Sequence, residues 1–194
     1  SHVVPELSAL TYRGYKVQDL CDKCDFEEVA YLVLHGDLPS KKQLNKFIKE
    51  ERSERKLSKQ IVKDIQKMPK NAHPMDVIRT CVSLMALEDK DTKDNSPKAN
   101  MRKAMRIFSK TPTAVAAYFR ARKGKKIISP DKKLSFSSNF FKMMFGKVPD
   151  KEIVRAFDIS LILYAEHSFN VSTFTARTIT SSLSDIHGAI TGAI

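Results

Sequence analysis

The chain has 194 residues, 42% of them hydrophobic and 29% charged, with a formal net charge of +12. That composition is ordinary for a soluble globular protein, and the length suffices for one domain with a sizeable core or two small ones. No apolar run is long enough for a transmembrane helix, and the basic residues carry no aromatic-interleaved pattern of the kind that reads nucleic acid.

The excess charge is spread along the chain, at Lys41-Lys42, Lys123 to Lys126 and Lys132-Lys133, with acids mixed among it. It reads as solvated surface, with some attraction for anionic metabolites such as carboxylates. Glycines number 6, tryptophan is absent, and few stretches alternate as strands do, so the expected fold class is all-α.

Residues 1–16 read as an extended lead-in with Pro5 and a turn around Tyr12-Arg13-Gly14-Tyr15. A short helix begins at Val17. Asp25 is an N-cap before Phe26, with Glu28 completing a capping-box pattern, and the helix Phe26 to Leu34 ends at His35-Gly36, where Gly36 suits a left-handed C-cap. Ser40 caps a helix from Lys41 to Glu54, and Ser58 starts another with Ile61, Val62, Ile65 and Met68 at helical spacing. Pro74 suits the first turn of a helix from Met75 to Leu87.

The polar stretch Asp89 to Ala99 reads as a mobile loop. A helix is expected from Lys98 to Ser109, with Thr111-Pro112-Thr113 opening a separate one from Ala114 to Arg122. Gly124 to Lys133 is a loop. Ser137 to Phe145 is a helix closed by Gly146, Lys151 to Ala165 another, Ser172 to Leu183 a further one, and Ser184-Asp185 caps the last. Tyr12, Tyr15 and Phe26 are expected in the core.

Cysteines number three, Cys21, Cys24 and Cys81. The odd count points to a reducing compartment, with the cytoplasm as the default. Cys21-Asp22-Lys23-Cys24 has metal-like spacing but lacks a second ligand pair and lies within a helical pattern, so no metal site is expected.

Tyr164 to Arg177 is the most informative segment. An apolar run, Ile159 to Leu163, leads into Glu166, His167, Ser168, Asn170, Ser172, Thr173 and Thr175. Buried polar groups are costly without partners, so a dense polar cluster beside a core run suggests a site for a polar ligand.

The segment Tyr164-Ala165-Glu166-His167-Ser168-Phe169-Asn170 resembles the first active-site signature of the citrate synthase family, in the form most similar to its 2-methylcitrate synthases. Three further stretches are similar in the family's order: Leu10 to Tyr15, Phe26 to Pro39, and Ala72 to Thr80; Thr175-Ala176-Arg177 and Ser184-Asp185-Ile186 continue the match.

The resemblance implies a multi-helical large domain, with residues 1–194 as its N-terminal portion, truncated before the small domain. It implies condensation of an acyl-CoA thioester with oxaloacetate. Propionyl-CoA is the favoured donor and acetyl-CoA the near alternative, because one methylene discriminates only about 10–200-fold. It implies no cofactor beyond the thioester substrate, a homodimer formed through Met75–Leu87 and Thr113–Arg122, and no nucleic-acid or membrane partner.

His167 matches the family's oxaloacetate-binding His, while Asn170 and Ser172 match the small polar residues that support it. Arg55 lies where relatives carry an Arg near substrate; a surface Arg in the run Lys49 to Lys56 is the other reading. Arg13 and Arg177 are expected in fixed polar contacts. The general-acid His and general-base Asp are expected beyond Ile194. No catalytic group falls within the chain, which is expected to be inactive alone. His73 and His35 read as helix-end residues. His187 stands where relatives have Tyr and reads as structural. A non-catalytic helical module that binds a partner or nucleic acid is the alternative of another class.

Overall fold

The computed structural model describes residues 1–4, 9–167 and 170–194; Pro5, Ser168 and Phe169, which figure in the expectations above, lie outside the described residues. The lead-in forms a small antiparallel sheet of β1 (His2–Val4), β2 (Ala9–Tyr12) and β3 (Tyr15–Lys16), in that order. Arg13 and Gly14, both at positive φ, make the tight turn of the second hairpin, which suits the twist of paired strands.

Ten helices follow among the described residues: α1 (Val17–Lys23), α2 (Phe26–His35), α3 (Lys41–Glu54), α4 (Lys59–Lys67), α5 (Pro74–Glu88), α6 (Pro97–Arg122), α7 (Phe136–Phe145), α8 (Lys151–Tyr164), α9 (Val171–Ser181) and α10 (Ile186–Ala193). The all-α expectation holds, with the sheet as a minor addition. Local chemistry sets most boundaries. Asp25 and Glu28 form the capping box of α2, Gly36 ends it at φ 97°, and Ser40 and Ser58 each accept a backbone N–H at the start of α3 and α4.

Two hydrophobic clusters make the core. The first joins Tyr12, Leu20, Phe26, Val29, Leu32, Phe47, Met105, Phe136 and Ile162; the second joins Leu57, Ile61, Ile65, Val77, Cys81, Met85, Ala114, Ala117 and Tyr118. Helix α6 belongs to both, through Met105 in one and Ala114, Ala117 and Tyr118 in the other.

This sharing explains a correction. The sequence divides residues 98–122 into two helices at Pro112, but α6 runs unbroken for 26 residues with Pro112 inside it. An interior proline costs about 3 kcal/mol. Here α3, α4, α5 and α7 all pack along α6, and the burial they supply on both sides of the proline outweighs that cost.

The Asp89 to Ala99 stretch is a second correction. The sequence reads it as mobile, yet α6 pins its loop. Arg106 bonds Asp89 and Asp91, each at 2.5 Å; Arg102 bonds Asp91 at 2.6 Å; and the Lys103 ammonium donates to the Asp94 carbonyl at 2.7 Å. These bonds hold the Asp91 carboxyl well below its ordinary range. Tyr15 is a third: it is 37% exposed and donates to Asp37 at 2.6 Å, whereas Tyr12 and Phe26 are buried as expected.

Buried carboxylates tie helix starts together. Asp158 on α8 accepts the Phe26 N–H at the head of α2 (2.8 Å) and the Ser137 hydroxyl (2.5 Å). Glu27 accepts the Phe136 N–H at the head of α7 (2.8 Å). Each acid thus meets the positive end of a neighbouring helix. Burial pushes the Glu27 carboxyl up, and the Phe136 N–H pulls it partly back.

Candidate active site

The signature segment spans the junction of α8 and α9. Tyr12 anchors the end of α8 by donating its hydroxyl to the Ile162 carbonyl at 2.8 Å and the Leu163 carbonyl at 3.1 Å. Glu166 accepts the Ser1 hydroxyl at 2.7 Å. Asn170 is the N-cap of α9: its Oδ1 accepts the Thr173 N–H at 2.6 Å, leaving its Nδ2 to lie 3.4 Å from His167 Nε2. The cap thereby places a histidine beside a helix N-terminus, where backbone N–H groups and the helix dipole favour an anionic or carbonyl oxygen.

The surroundings differ from the expected buried cluster. His167 and Ser172 are exposed, Leu163 is 44% exposed and Tyr164 82%, so the argument from the cost of buried polar groups does not apply. The reason is packing. Among the described residues α9 has no buried side chain and its main neighbour is α10, so its outer face, with Val171 and Phe174, is left open.

That face forms a groove of about 640 Å³, lined by Asn170, Val171, Thr173, Phe174, Arg177, Thr178 and Ser181. Its lining includes no carboxylate. Arg177 is exposed and, among the described residues, makes no ion pair, which corrects the expectation that it serves fixed contacts. The signal was in the spacing: Asn170, Phe174, Arg177 and Ser181 recur at helical intervals on one face. Asn170, Thr173 and Arg177 thus bring hydrogen-bonding groups and one positive charge to the groove, and His167 lies 3.4 Å from Asn170 without lining it.

Arg55 is not part of this arrangement. It is 1% exposed; its Nε and Nη2 bind Glu51 at 2.8 and 2.7 Å, and its Nη1 donates to the Asp131 and Leu134 carbonyls at 2.8 and 2.9 Å. Both readings made from sequence, substrate contact and surface charge, give way to a buried tie between the end of α3 and the loop before α7.

The other histidines lie elsewhere. His73 caps α5 by accepting the Met75 N–H at 3.3 Å, and His35 stacks on Tyr31 in the last turn of α2. His187 is buried in the first turn of α10. The three cysteines are free, and no group of metal-ligating side chains occurs among the described residues.

The fold is an all-α domain, and its α9 groove carries Arg177 with no carboxylate in the lining. A family model described as citrate synthase, C-terminal domain, matches residues 1–194, and the chain belongs to the citrate synthase family. Over 194 residues it is 48% identical to a citrate synthase of Mycolicibacterium smegmatis, covering 100% of this chain and 52% of that protein. It is also 48% identical to a 2-methylcitrate synthase of Mycobacterium tuberculosis, covering 100% of this chain and 49% of that protein.

Among solved structures, the citrate synthase of Pyrobaculum aerophilum superposes with a TM-score of 0.90 at 32% identity, over 95% of this chain and 48% of that one. The Thermoplasma acidophilum enzyme, solved as a ternary complex with carboxymethyl coenzyme A and oxaloacetate, gives 0.90 at 25% identity, over 95% and 49%. The chain therefore spans about half the length of the curated relatives it matches. No helix among the described residues is long and apolar enough to cross a membrane.

Proposed function

We propose that residues 1–194 are the N-terminal portion of the large domain of a 2-methylcitrate synthase-like enzyme, which condenses propionyl-CoA with oxaloacetate. In that reaction a base takes the α-proton of the thioester, the resulting enol attacks the oxaloacetate ketone, and water cleaves the thioester to release 2-methylcitrate and CoA. This chain supplies part of the oxaloacetate pocket. His167 donates to a ketone or carboxylate oxygen, Asn170 fixes the ring, and Ser172 lies in the first turn of the helix that completes the wall. In this reading the proton-transfer groups lie outside residues 1–194, and 1–194 alone has no turnover.

The observation that carries the reading is the His167–Asn170 contact at the head of α9, within a signature of the 2-methylcitrate synthase form. Acetyl-CoA as donor is the second reading, favoured by the equal identity to a relative named citrate synthase. The partner is a second copy of the chain, meeting it through α5 and the last turns of α6. Met75 and Leu87 are exposed there, and Val115 and Phe119 line an apolar hollow with Ile78 and Met144.

Steady-state kinetics of the whole enzyme with oxaloacetate varied test the site. His167→Ala loses a charge-assisted hydrogen bond, of about 1.5–3 kcal/mol or more, and is expected to cut catalytic efficiency about ten- to a few-hundred-fold. Cys21→Ser serves as a control and is expected to match the parent. A folded His167→Ala enzyme with near-native efficiency would remove the assignment.

A further inference from the structure

Part of the basic charge gathers along α3 and α4. Helix α4 turns Ile61 and Ile65 into the core. Lys59, Val62, Lys63 and Gln66 recur at helical spacing on another stripe, which faces residues 126–130. Between them lies an open groove of about 450 Å³. Leu57 is buried and Val62, Ile127 and Ile128 are half-buried, so they form its floor; Lys56, Lys59, Lys63 and Lys126 are exposed and form its rim. A second hollow, of about 360 Å³, lies along α3 and carries Ile48 with Lys49, Arg52 and Lys132. Arg52 ties the segment that borders both hollows to α3, reaching the Lys132 and Lys133 carbonyls, each at 3.4 Å.

This charge is uncompensated. Neither lining contains a carboxylate. Acids close by are engaged elsewhere: Glu51 with Arg55, Asp131 with Lys142, Asp64 with Gln60 and Glu88 with Ser58. Among the described residues none of the four rim lysines makes an ion pair. Lys59 and Lys63 are like charges one turn apart, and Lys59 adds a cation to the positive end of α4. Both arrangements cost helix stability, and an anionic partner offsets both.

We propose that this face docks an acidic peptide segment of a partner protein, whose aliphatic side chains enter the groove while its carboxylates meet the lysine rim. The lining selects this occupant. No aromatic ring lines either hollow, so the bases of a nucleic acid find nothing to stack on. The apolar groups form the floor of a concave groove instead of projecting from it, the reverse of what insertion into a lipid surface needs. The cations extend over two hollows, further than one small anion reaches. Lys59 and Gln66 are about 10 Å apart along α4, a length that about three extended residues span. Successive side chains of such a strand point to opposite sides, so an aliphatic residue can face the floor while its acidic neighbours turn to the rim. No residue of this face lines the α9 groove, and the docking does not depend on what that groove binds.

The test is fluorescence anisotropy of short labelled peptides with the full-length protein at low salt, about 50 mM, where screening is weak. A peptide of glutamates interspersed with leucines is expected to bind, and to be released as salt rises to about 0.5 M. The same peptide with serine in place of leucine is expected to bind several-fold more weakly. Lys59→Glu with Lys63→Glu is expected to lower affinity about tenfold or more, since two contacts become repulsive. Its new acids stand in the N-terminal half of α4, which favours them, so the variant should melt no lower than the parent. Lys90→Glu with Lys93→Glu makes the same change of net charge at exposed positions of the Asp89 loop and should stay within about twofold of the parent.

Absence of peptide binding overturns the proposal. So does an equal loss in the two double variants, which is an effect of net charge alone. Equal affinity for the leucine and serine peptides overturns it too, because the floor then takes no part. Oligothymidylate or phosphatidylglycerol vesicles that bind more tightly than the peptide, and depend equally on Lys59 and Lys63, overturn the choice of occupant. The salt dependence and the leucine–serine difference are read on the unsubstituted protein and stand even where a variant folds poorly.

Discussion

Replacing Arg55 by Ala is expected to destabilise the domain by about 3–5 kcal/mol, a large effect for one side chain. The magnitude follows from what the change strands. The guanidinium and the Glu51 carboxylate are 2% and 0% exposed, so deleting one partner leaves a buried, uncompensated charge. The Asp131 and Leu134 carbonyls lose their donors as well. For a chain of this size the loss lowers the melting temperature by about 6–20 °C.

The effect depends on pH in a definite direction. Burial already holds the Glu51 carboxyl above its ordinary range, with Arg55 pulling it back. Without Arg55 it rises further, so the folded variant keeps a proton that the unfolded chain releases above about pH 4.3. Stability of the variant then falls as pH rises through that interval, and its deficit is greater at neutral pH than in mild acid. Thermal and urea melts across this range measure it. The double change Glu51→Met with Arg55→Met removes both charges and is expected to recover much of the loss. An Arg55→Ala protein within about 1 kcal/mol of the parent, or a double variant no better than the single, would refute the buried-tie account.

Two further outcomes are expected. Tyr12→Phe removes the hydroxyl that holds the Ile162 and Leu163 carbonyls at the end of α8 and should cost about 1 kcal/mol, or about 2–4 °C in melting temperature; an unchanged melt would show that the α8–α9 junction is held by other contacts. The Cys81 thiol, buried and pushed up to about 11, should resist alkylation in the folded state while the partly exposed Cys21 reacts first; mass-spectrometric labelling that found Cys81 modified as fast would contradict its burial.

Where one residue's chemistry decides the backbone, the sequence was sufficient. Asp25 with Glu28, Gly36, Ser40, Ser58 and Gly146 mark helix ends that the structure reproduces. It misled where distant partners decide. Pro112 reads as a boundary because its local cost is visible and the burial along α6 is not. The Asp89 loop reads as mobile because its acids sit beside lysines in sequence, while Arg102 and Arg106 reach it from a helix that follows. Arg55 looks like surface in a run of charges until Glu51, one turn earlier, is seen to face the same interior. The signature at Tyr164–Arg177 was legible as a pattern, but the cap was not: the sequence reads the helix from Ser172, whereas Asn170 caps it one residue earlier, at Val171. Its exposure was not legible either, because exposure depends on which element lies over α9 and no local pattern encodes that.

The continuity of α6 bears on how the domain comes apart. At 26 residues it is about 39 Å long, and it serves as a wall for both hydrophobic clusters. Neither cluster can open without displacing a side of the other. A perturbation deep in the Ile61–Ile65–Cys81 half is therefore felt in the Tyr12–Phe26–Ile162 half, although these residues belong to separate clusters. The two halves share one opening free energy, and the helix that carries the proline couples them.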